Sequence, residues 1–411
     1  MKLLLTYPII LIFGLLIQAQ QTFVPDDNFE HFLETHDANM NVVPIGDPNS
    51  LGNGIDNDNL VTTAKIAQLT TLLIAGENIT DLTGIEDFSA LELLNCNNNQ
   101  ITSLNIGNNT SLKILRANTN LLTNLDISQN INLEVVDVNY NQISDLDVSQ
   151  NQQLLSLSIA NNSLNNINAT TLTNLEILNC SENNISQIDV SNNIALRVLY
   201  VNDNMLTSID VSQNANLEDL NCGNNQLTNI DVTTNPRLTS LGCYENRLSD
   251  LDMSHNPELT VLFANNNQLT SLNMQHGNTS GFMSYFATVQ NPDLKCILVD
   301  DVAWSMSNWA ISIDSWTNLV ETEQECMTLA VEEPEKDYLE CYPNPVYDKL
   351  NLTVSSEGKL TIYNIAGQVV ANQRFGSGNN IIDMSQLKQA IYIVKIHFNN
   401  NHVIYKKIIK N

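Results

Sequence analysis

Hydrophobic positions recur along the chain with a fixed period. One period leads from Leu91 to Leu112, and the next leads from Leu112 to Leu133. The same step reaches a leucine every time, up to Leu259. In each of these nine coils, position three (counted from that first leucine) is leucine or valine, and position eight is asparagine. A match of this many positions at one period predicts a solenoid, in which stacked coils bury one continuous core.

The alternation within each coil predicts a short β-strand. Positions three and five are apolar and position four is mostly polar, which is the period of a half-buried strand. Stacked coils pair such strands into a parallel sheet with a spacing of about 4.8 Å. Because so short a coil leaves no room for a full helix in its second half, we expect extended or turn-like backbone there. The asparagines are expected to satisfy backbone groups that are buried where the strand turns.

The predicted fold is mainly β, with the repeat array at residues 69–281 and a cap before it at residues 21–68. A unit from Leu69 to Ala90, slightly longer than the others, brings the prediction to ten coils. In the N-terminal cap, the segment "VPDDNFEHFLE" predicts an amphipathic helix that Asp26 or Asp27 caps. Its apolar face would cover the first coil.

The pattern changes twice after the array. Residues 282–330 lose the period and contain all three tryptophans, which predicts an irregular C-terminal cap. Residues 331–338 read as an acidic linker. Residues 339–411 contain alternating runs such as "KLNLTV" and "IYIVKIHF", which predict a small antiparallel β-sandwich.

The N-terminus predicts export. Lys2 precedes a short apolar run and small or polar residues follow it, which is the pattern of a signal peptide over residues 1–20. Because no second long apolar run follows, we expect no integral membrane anchor. Export permits disulfides, and Cys296 and Cys326 bracket the C-terminal cap, so we expect them to pair; Cys326 with Cys341 is the alternative.

Four other cysteines lie at position five of a coil, where Ala, Val and Ile stand in the other coils. That position therefore requires a small apolar group and not a thiolate, and burial makes a thiol inert. We expect free core thiols at these four positions: Cys96, Cys180, Cys222 and Cys243.

The repeat pattern L-x-x-L-x-(C/V/I/A)-x-x-N-x-(L/I) resembles bacterial leucine-rich repeat proteins, especially internalin-type arrays with coils of this length and cysteine at one core position. The segments "DDNFEHFLE" and "NPDLKCILVDDVAWS" look like the caps of a secreted leucine-rich repeat family in Bacteroidetes-type bacteria. The C-terminal segment resembles the type IX secretion sorting domain of that group, through Tyr342–Pro345, Leu360–Val370 and Ile391–Ile396. Ala390 stands where that domain usually has glycine.

The resemblance implies a protein that is secreted or displayed on the outer-membrane surface, with residues 339–411 read by the type IX secretion machinery. The distribution of charge along the chain also indicates that residues 339–411 form a separate domain. Residues 339–411 contain eight Lys or Arg against four Asp or Glu, a net charge of +4, so the rest of the chain carries −32.

Composition and motifs argue against several functions. A net charge of −28 argues against nucleic acid, whose phosphates require Lys and Arg. No P-loop, G-x-S-x-G or H-E-x-x-H motif is present, so we expect no enzyme and no cofactor. The loop "GDPNSLGNGIDNDN" is a weak calcium candidate through Asp47, Asp56 and Asp58, but its composition is also typical of a plain turn.

The concave face of the sheet is the candidate binding site, and we expect it to act in a monomer. Aromatic and charged residues at and near position four can combine across coils into one surface; these are Arg116, Asp137, Tyr140, Tyr200, Tyr244 and Phe263. A protein-binding or adhesion module is the first hypothesis. The alternative is a carbohydrate-binding accessory protein whose aromatic rings stack on sugars.

Overall fold

The computed structural model describes residues 20–278, 285–330, 339–399 and 402–411. The predicted linker at residues 331–338 lies outside the described residues, as does the predicted signal peptide apart from Gln20. Within the described ranges, no helix is both long and apolar enough to cross a membrane.

The N-terminal cap is a short hairpin with one longer helix. Strand β1 (Gln21–Phe23) pairs antiparallel with β2 (Leu60–Thr62), and a four-residue helix α2 (Thr63–Ile66) follows. Helix α1 (Asp27–Thr35) begins where Asp26 Oδ1 accepts from two backbone N–H groups, at 3.0 and 3.1 Å. Since its other carboxylate oxygen accepts from the backbone N–H and the hydroxyl of Thr80, at 2.8 and 2.7 Å, Asp26 also ties the helix to the first coil.

The array is built around one parallel sheet of eleven strands in register. Each strand is three residues long, with its central side chain buried in the core. In chain order these strands are β3 (Thr71–Leu73), β4 (Leu93–Asn95), β5 (Ile114–Arg116), β6 (Val135–Asp137), β7 (Ser156–Ser158), β8 (Ile177–Asn179), β9 (Val198–Tyr200), β10 (Asp219–Asn221), β11 (Ser240–Gly242), β13 (Val261–Phe263) and β15 (Tyr285–Ala287).

The opposite side of the coils is mainly turns, with one 3₁₀ turn at Ile85–Asp87. Near the C-terminal end, four strands form a second parallel sheet on that side. These strands are β12 (Asp250–Asp252), β14 (Ser271–Met274), β16 (Cys296–Val299) and β17 (Asn318–Val320). The prediction of extended or turn-like backbone in the second half of each coil is confirmed.

The array has one more sheet strand than the ten coils predicted from the sequence. Strand β15 continues the ladder within the segment where the sequence pattern indicates a cap. Phe286 takes the place of the position-three leucine, and Asn291 takes the place of the position-eight asparagine. The preceding coil is longer than the regular repeat, so the fixed period does not reach this strand.

Two columns of asparagines, most of them buried, run through the array. At position eight, Asn225 donates from Nδ2 to the carbonyls of Val201, Cys222 and Gly223, at 3.0 to 3.1 Å, and its Oδ1 accepts from the N–H of Leu206 at 2.8 Å. At position eighteen, Asn214 donates to two carbonyls, at 3.0 and 2.9 Å. The expected backbone role of the position-eight asparagines is therefore what the structure shows.

The turn after each strand uses left-handed backbone. The position-seven residue has a φ between 48° and 57° in all nine regular coils, and none of these residues is glycine. Asparagine tolerates this conformation better than most other side chains do. The residues are Asn98, Thr119, Tyr140, Asn161, Glu182, Asp203, Asn224, Glu245 and Asn266.

The C-terminal cap contains helices α3 (Val302–Trp309) and α4 (Glu323–Ala330). The Trp309 ring stacks on Phe286 with a centroid distance of 4.2 Å and closes the end of the core. Cys296 and Cys326 form a disulfide with a Cα–Cα distance of 5.7 Å, so that prediction is confirmed. The bond joins β16 to α4.

The C-terminal domain has two antiparallel sheets around its own core. The smaller sheet contains β18 (Leu339–Tyr342), β19 (Lys349–Val354) and β22 (Gly378–Asp383), and the larger contains β20 (Gly358–Asn364), β21 (Val369–Phe375), β23 (Ala390–Phe398) and β24 (Val403–Lys410). One face of the larger sheet adjoins the C-terminal cap: Ile393 is buried within the hydrophobic cluster that the array and the cap share, and Tyr363 and Tyr405 pack against that cluster.

Candidate binding face

The outer side of the parallel sheet is a continuous surface, here called the sheet face. It consists of the side chains at positions one, two, four and six of the coils, which flank the buried position-three residues. Because the strands pair in register, equivalent positions form columns that run across the coils. Residues far apart in sequence therefore share one surface.

Arg116 and Asp137 lie on the N-terminal half of this face. They end neighbouring strands and are partners in the sheet register. The carboxylate of Asp137 accepts from the side-chain amide of Asn118 at 2.9 Å. Tyr140 lies elsewhere: it occupies the left-handed turn after β6 and is 55% exposed, so it belongs to the rim of the face.

Tyr200 is held in a defined orientation on the C-terminal half of the face. Its hydroxyl donates to the carboxylate of Asp219 in the next strand, with an O···O distance of 2.6 Å. Burial, together with this hydrogen bond to a carboxylate, raises the pKa of Tyr200 to about 12. The phenol therefore stays neutral and donating at any ordinary pH.

Tyr244 lies across the coil before its own. A Cβ atom added to Gly223 would overlap carbons of the Tyr244 ring, and one added to Gly242 would lie 3.6 Å from the Cε1 of the same ring. Gly223 thus leaves room for the ring, whereas a side chain at Gly242 would only touch it. Phe263, which is 36% exposed, is the register partner of Gly242 and extends the aromatic surface.

Position two carries a surface feature that the sequence analysis does not single out. Half-exposed aliphatic side chains form a column there, most of it in the N-terminal half, and Tyr285 ends the column with 61% of its surface exposed. The aliphatic members are Leu93, Ile114, Val135, Ile177, Val198 and Val261. The sequence contains this signal, because comparing position two across the coils shows the recurring aliphatic residues.

The position-one column is charged and paired. Lys113 Nζ contacts a Glu92 carboxylate oxygen at 2.8 Å. Arg197 makes two hydrogen bonds to Glu218, at 3.0 and 2.8 Å, and lies 3.9 Å from Glu176. These exposed pairs order one border of the face and contribute little to stability.

Sequence-family models match two parts of the chain. The model described as the secretion system C-terminal sorting domain matches residues 340–411, and the model described as leucine rich repeats (2 copies) matches residues 194–233. The chain is a leucine-rich repeat protein with a C-terminal sorting domain. The sorting domain assigns it to type IX secretion, which delivers proteins to the outer-membrane surface or the medium. No match was found among curated proteins.

Solved structures share the fold of the leucine-rich repeat array. The functional domain of InlJ from Listeria monocytogenes, which includes a cysteine ladder, aligns with a TM-score of 0.55 at 23% identity, over 96% of this chain and 99% of that chain. An internalin (inlF) from the same organism aligns with a TM-score of 0.53 at 21% identity, over 76% of this chain and 95% of that one. At these identities the likeness shows the fold alone.

The four position-five cysteines of the array are free and fully buried. Burial raises the pKa of the Cys96, Cys180 and Cys222 thiols to about 12, and that of Cys243 well above its ordinary value. These thiols are therefore protonated and act as small core groups.

The three calcium candidates of the N-terminal cap each have separate local partners. Asp47 accepts from the backbone N–H of Asn49 at 2.8 Å, and Asp56 lies 3.1 Å from His31 Nδ1. Asp58 accepts from the Leu60 N–H at 3.0 Å. Among the described residues, no group of three or more His, Cys, Asp or Glu side chains is arranged to hold a metal ion.

Proposed function

We propose that the leucine-rich repeat array is an exported, monomeric binding module that grips a protein partner on its sheet face, as an adhesin or interaction domain. The proposed function needs no catalytic group, no metal and no cofactor. The observation that carries it is the sheet face itself, where half-exposed aliphatic and aromatic side chains are arranged in columns between polar borders.

This composition suits a protein interface. Aromatic residues are enriched among the few that supply most of the binding energy at protein interfaces, and the less important contacts around them exclude water. Tyr200, Tyr244 and Phe263 lie within four consecutive coils, so one partner segment can contact all three. The backbone under them is a rigid ladder, which lowers the entropy that binding costs.

A photo-crosslinking side chain at Ser158 tests this proposal. Ser158 is half-exposed at the end of β7 on the sheet face, whereas Gln150 is exposed on the turn side of the adjoining coil and serves as the matched control. With the full chain on native cells, we expect one protein adduct from Ser158 and none from Gln150. An excess of the array without the crosslinking side chain should compete for the partner and abolish the Ser158 adduct.

Substituting alanine for Tyr200, Tyr244 and Phe263 together should remove the adduct while the array stays folded by circular dichroism, because all three side chains lie outside the core and are at least partly exposed. Equal adducts from both crosslinking positions would contradict the proposal. A Ser158 adduct that consists of glycan and not protein would instead support the carbohydrate-binding alternative.

A further inference from the structure

We propose that the C-terminal half of the sheet face recognises a cationic side chain, arginine or lysine, on the protein partner. The site consists of Tyr200, Asp219, Tyr244 and Asp203 and is called the aromatic–acidic site. This inference rests on the proposed function and names the chemistry of the partner segment.

The four side chains lie in three consecutive coils of the sheet face. Asn221 is the register partner of Tyr200. The side-chain amide of Asn221 and the edge of the Tyr244 ring both lie next to Gly242. Asp219 borders the site on the position-two side, through its bond to Tyr200. Asp203 borders it on the position-seven side, where its charge and that of Glu245 add to the effect of burial in raising the pKa of the Tyr244 phenol.

The carboxylates of this site have neutral partners. Asp203 accepts from the side-chain amides of Asn202 and Asn224, at 2.7 and 2.6 Å. Asp219 accepts from the Tyr200 hydroxyl. Within the described parts of the chain, neither carboxylate makes an ion pair, and the nearby Arg197 is already held by Glu218. The site therefore presents two negative charges that a ligand can neutralise.

Aromatic rings and carboxylates together favour a cation over a neutral group. A guanidinium or ammonium is attracted to the face of a tyrosine ring, and it forms charge-assisted hydrogen bonds with a carboxylate. Arginine suits the site best because its planar group can stack on a ring and bond to a carboxylate at once. The N-terminal half of the sheet face differs, because the cationic Arg116 occupies position four there, where the C-terminal half has Tyr200.

The orientation of Tyr244 depends on Gly223. Any side chain at Gly223 would overlap carbons of the Tyr244 ring, so the ring would have to move. Gly107 offers a matched control, since an added Cβ there meets no atom closer than 3.7 Å. Gly223→Ala therefore displaces the ring and keeps both carboxylates.

A fluorescent peptide Gly-Arg-Gly-Arg-Gly, with its citrulline counterpart as the neutral control, tests the inference by anisotropy on the full chain. We expect the arginine peptide to bind about tenfold more tightly than the citrulline peptide. Asp203→Asn and Asp219→Asn should each weaken binding of the arginine peptide severalfold. Gly223→Ala should weaken it to a similar extent, whereas Gly107→Ala should leave binding unchanged.

Asp126→Asn and Asp147→Asn, both on the turn side of the coils, distinguish a site from general charge attraction. Both should leave binding unchanged; an equal loss in all four aspartate variants would overturn the inference. In Asp219→Asn the absorbance titration of Tyr200 should move to lower pH, which reports the local change without reference to binding.

The two proposals can fail separately. If the Ser158 adduct forms but the arginine and citrulline peptides bind equally, the cationic site is wrong and the binding face stands. If no position-specific adduct forms, the proposed function fails, whatever the peptides do.

Discussion

Asparagine side chains hold the backbone of the array together at the scale of single residues. The position-eight asparagines use both ends of the amide, whereas seven position-eighteen asparagines have a buried Oδ1 without a partner. The sequence predicts that position-eight asparagines satisfy backbone groups, because their spacing is visible. It does not reveal the unequal bonding of the two columns, which depends on where the neighbouring coil places its N–H groups.

This difference predicts unequal costs of substitution. Asn225→Ala removes three donated bonds and one accepted bond, which should lower the free energy of unfolding by roughly 2–5 kcal/mol. Asn214→Ala removes two bonds and also an unpartnered oxygen, so we expect roughly 1–2 kcal/mol. Urea unfolding followed by circular dichroism measures both, and an equal or larger loss for Asn214→Ala would refute this bonding difference.

The short strand followed by a left-handed turn is the repeated element, and its existence follows from the alternation at positions three to five. The last strand does not follow from it. The sequence pattern does not predict β15 because the coil before it is longer and the aromatic Phe286 replaces the expected leucine. Pattern reasoning finds elements where the period is constant, and it loses them where an insertion shifts the register.

The disulfide between β16 and α4 should stabilise the C-terminal cap in particular. It closes a loop with a sequence separation of 30, which corresponds to about 3–4 kcal/mol. All three tryptophans lie in this cap, so their fluorescence reports its unfolding.

We expect Cys326→Ser to lower the urea midpoint seen by tryptophan fluorescence, with a smaller effect on circular dichroism of the whole array. Reducing agent should lower the wild-type midpoint in the same way and leave Cys326→Ser unchanged. Cys341 is a free thiol, so Cys341→Ser is the control and should keep the wild-type midpoint. An unchanged fluorescence midpoint in Cys326→Ser would show that the bond does not hold the cap.

At the scale of the whole molecule, an acidic leucine-rich repeat array carries a basic sorting domain. The sequence predicts both parts, because each has its own period and charge. It does not predict that Ile393 packs into the hydrophobic cluster at the C-terminal cap, since a contact between distant segments leaves no local pattern. It also does not predict the aromatic–acidic site, which depends on the Tyr244 ring crossing to Gly223.

The central claim is that the export address and the binding face are separate parts of one chain. The most direct test measures surface display and the Ser158 adduct in two variants side by side. One variant lacks residues 339–411, and the other carries alanine at Tyr200, Tyr244 and Phe263.

We expect the truncated chain to stay in the periplasm yet to form the adduct when purified and added to cells. The alanine variant should reach the surface in normal amounts and form none. Normal display of the truncated chain, or an undiminished adduct from the alanine variant, would contradict this account.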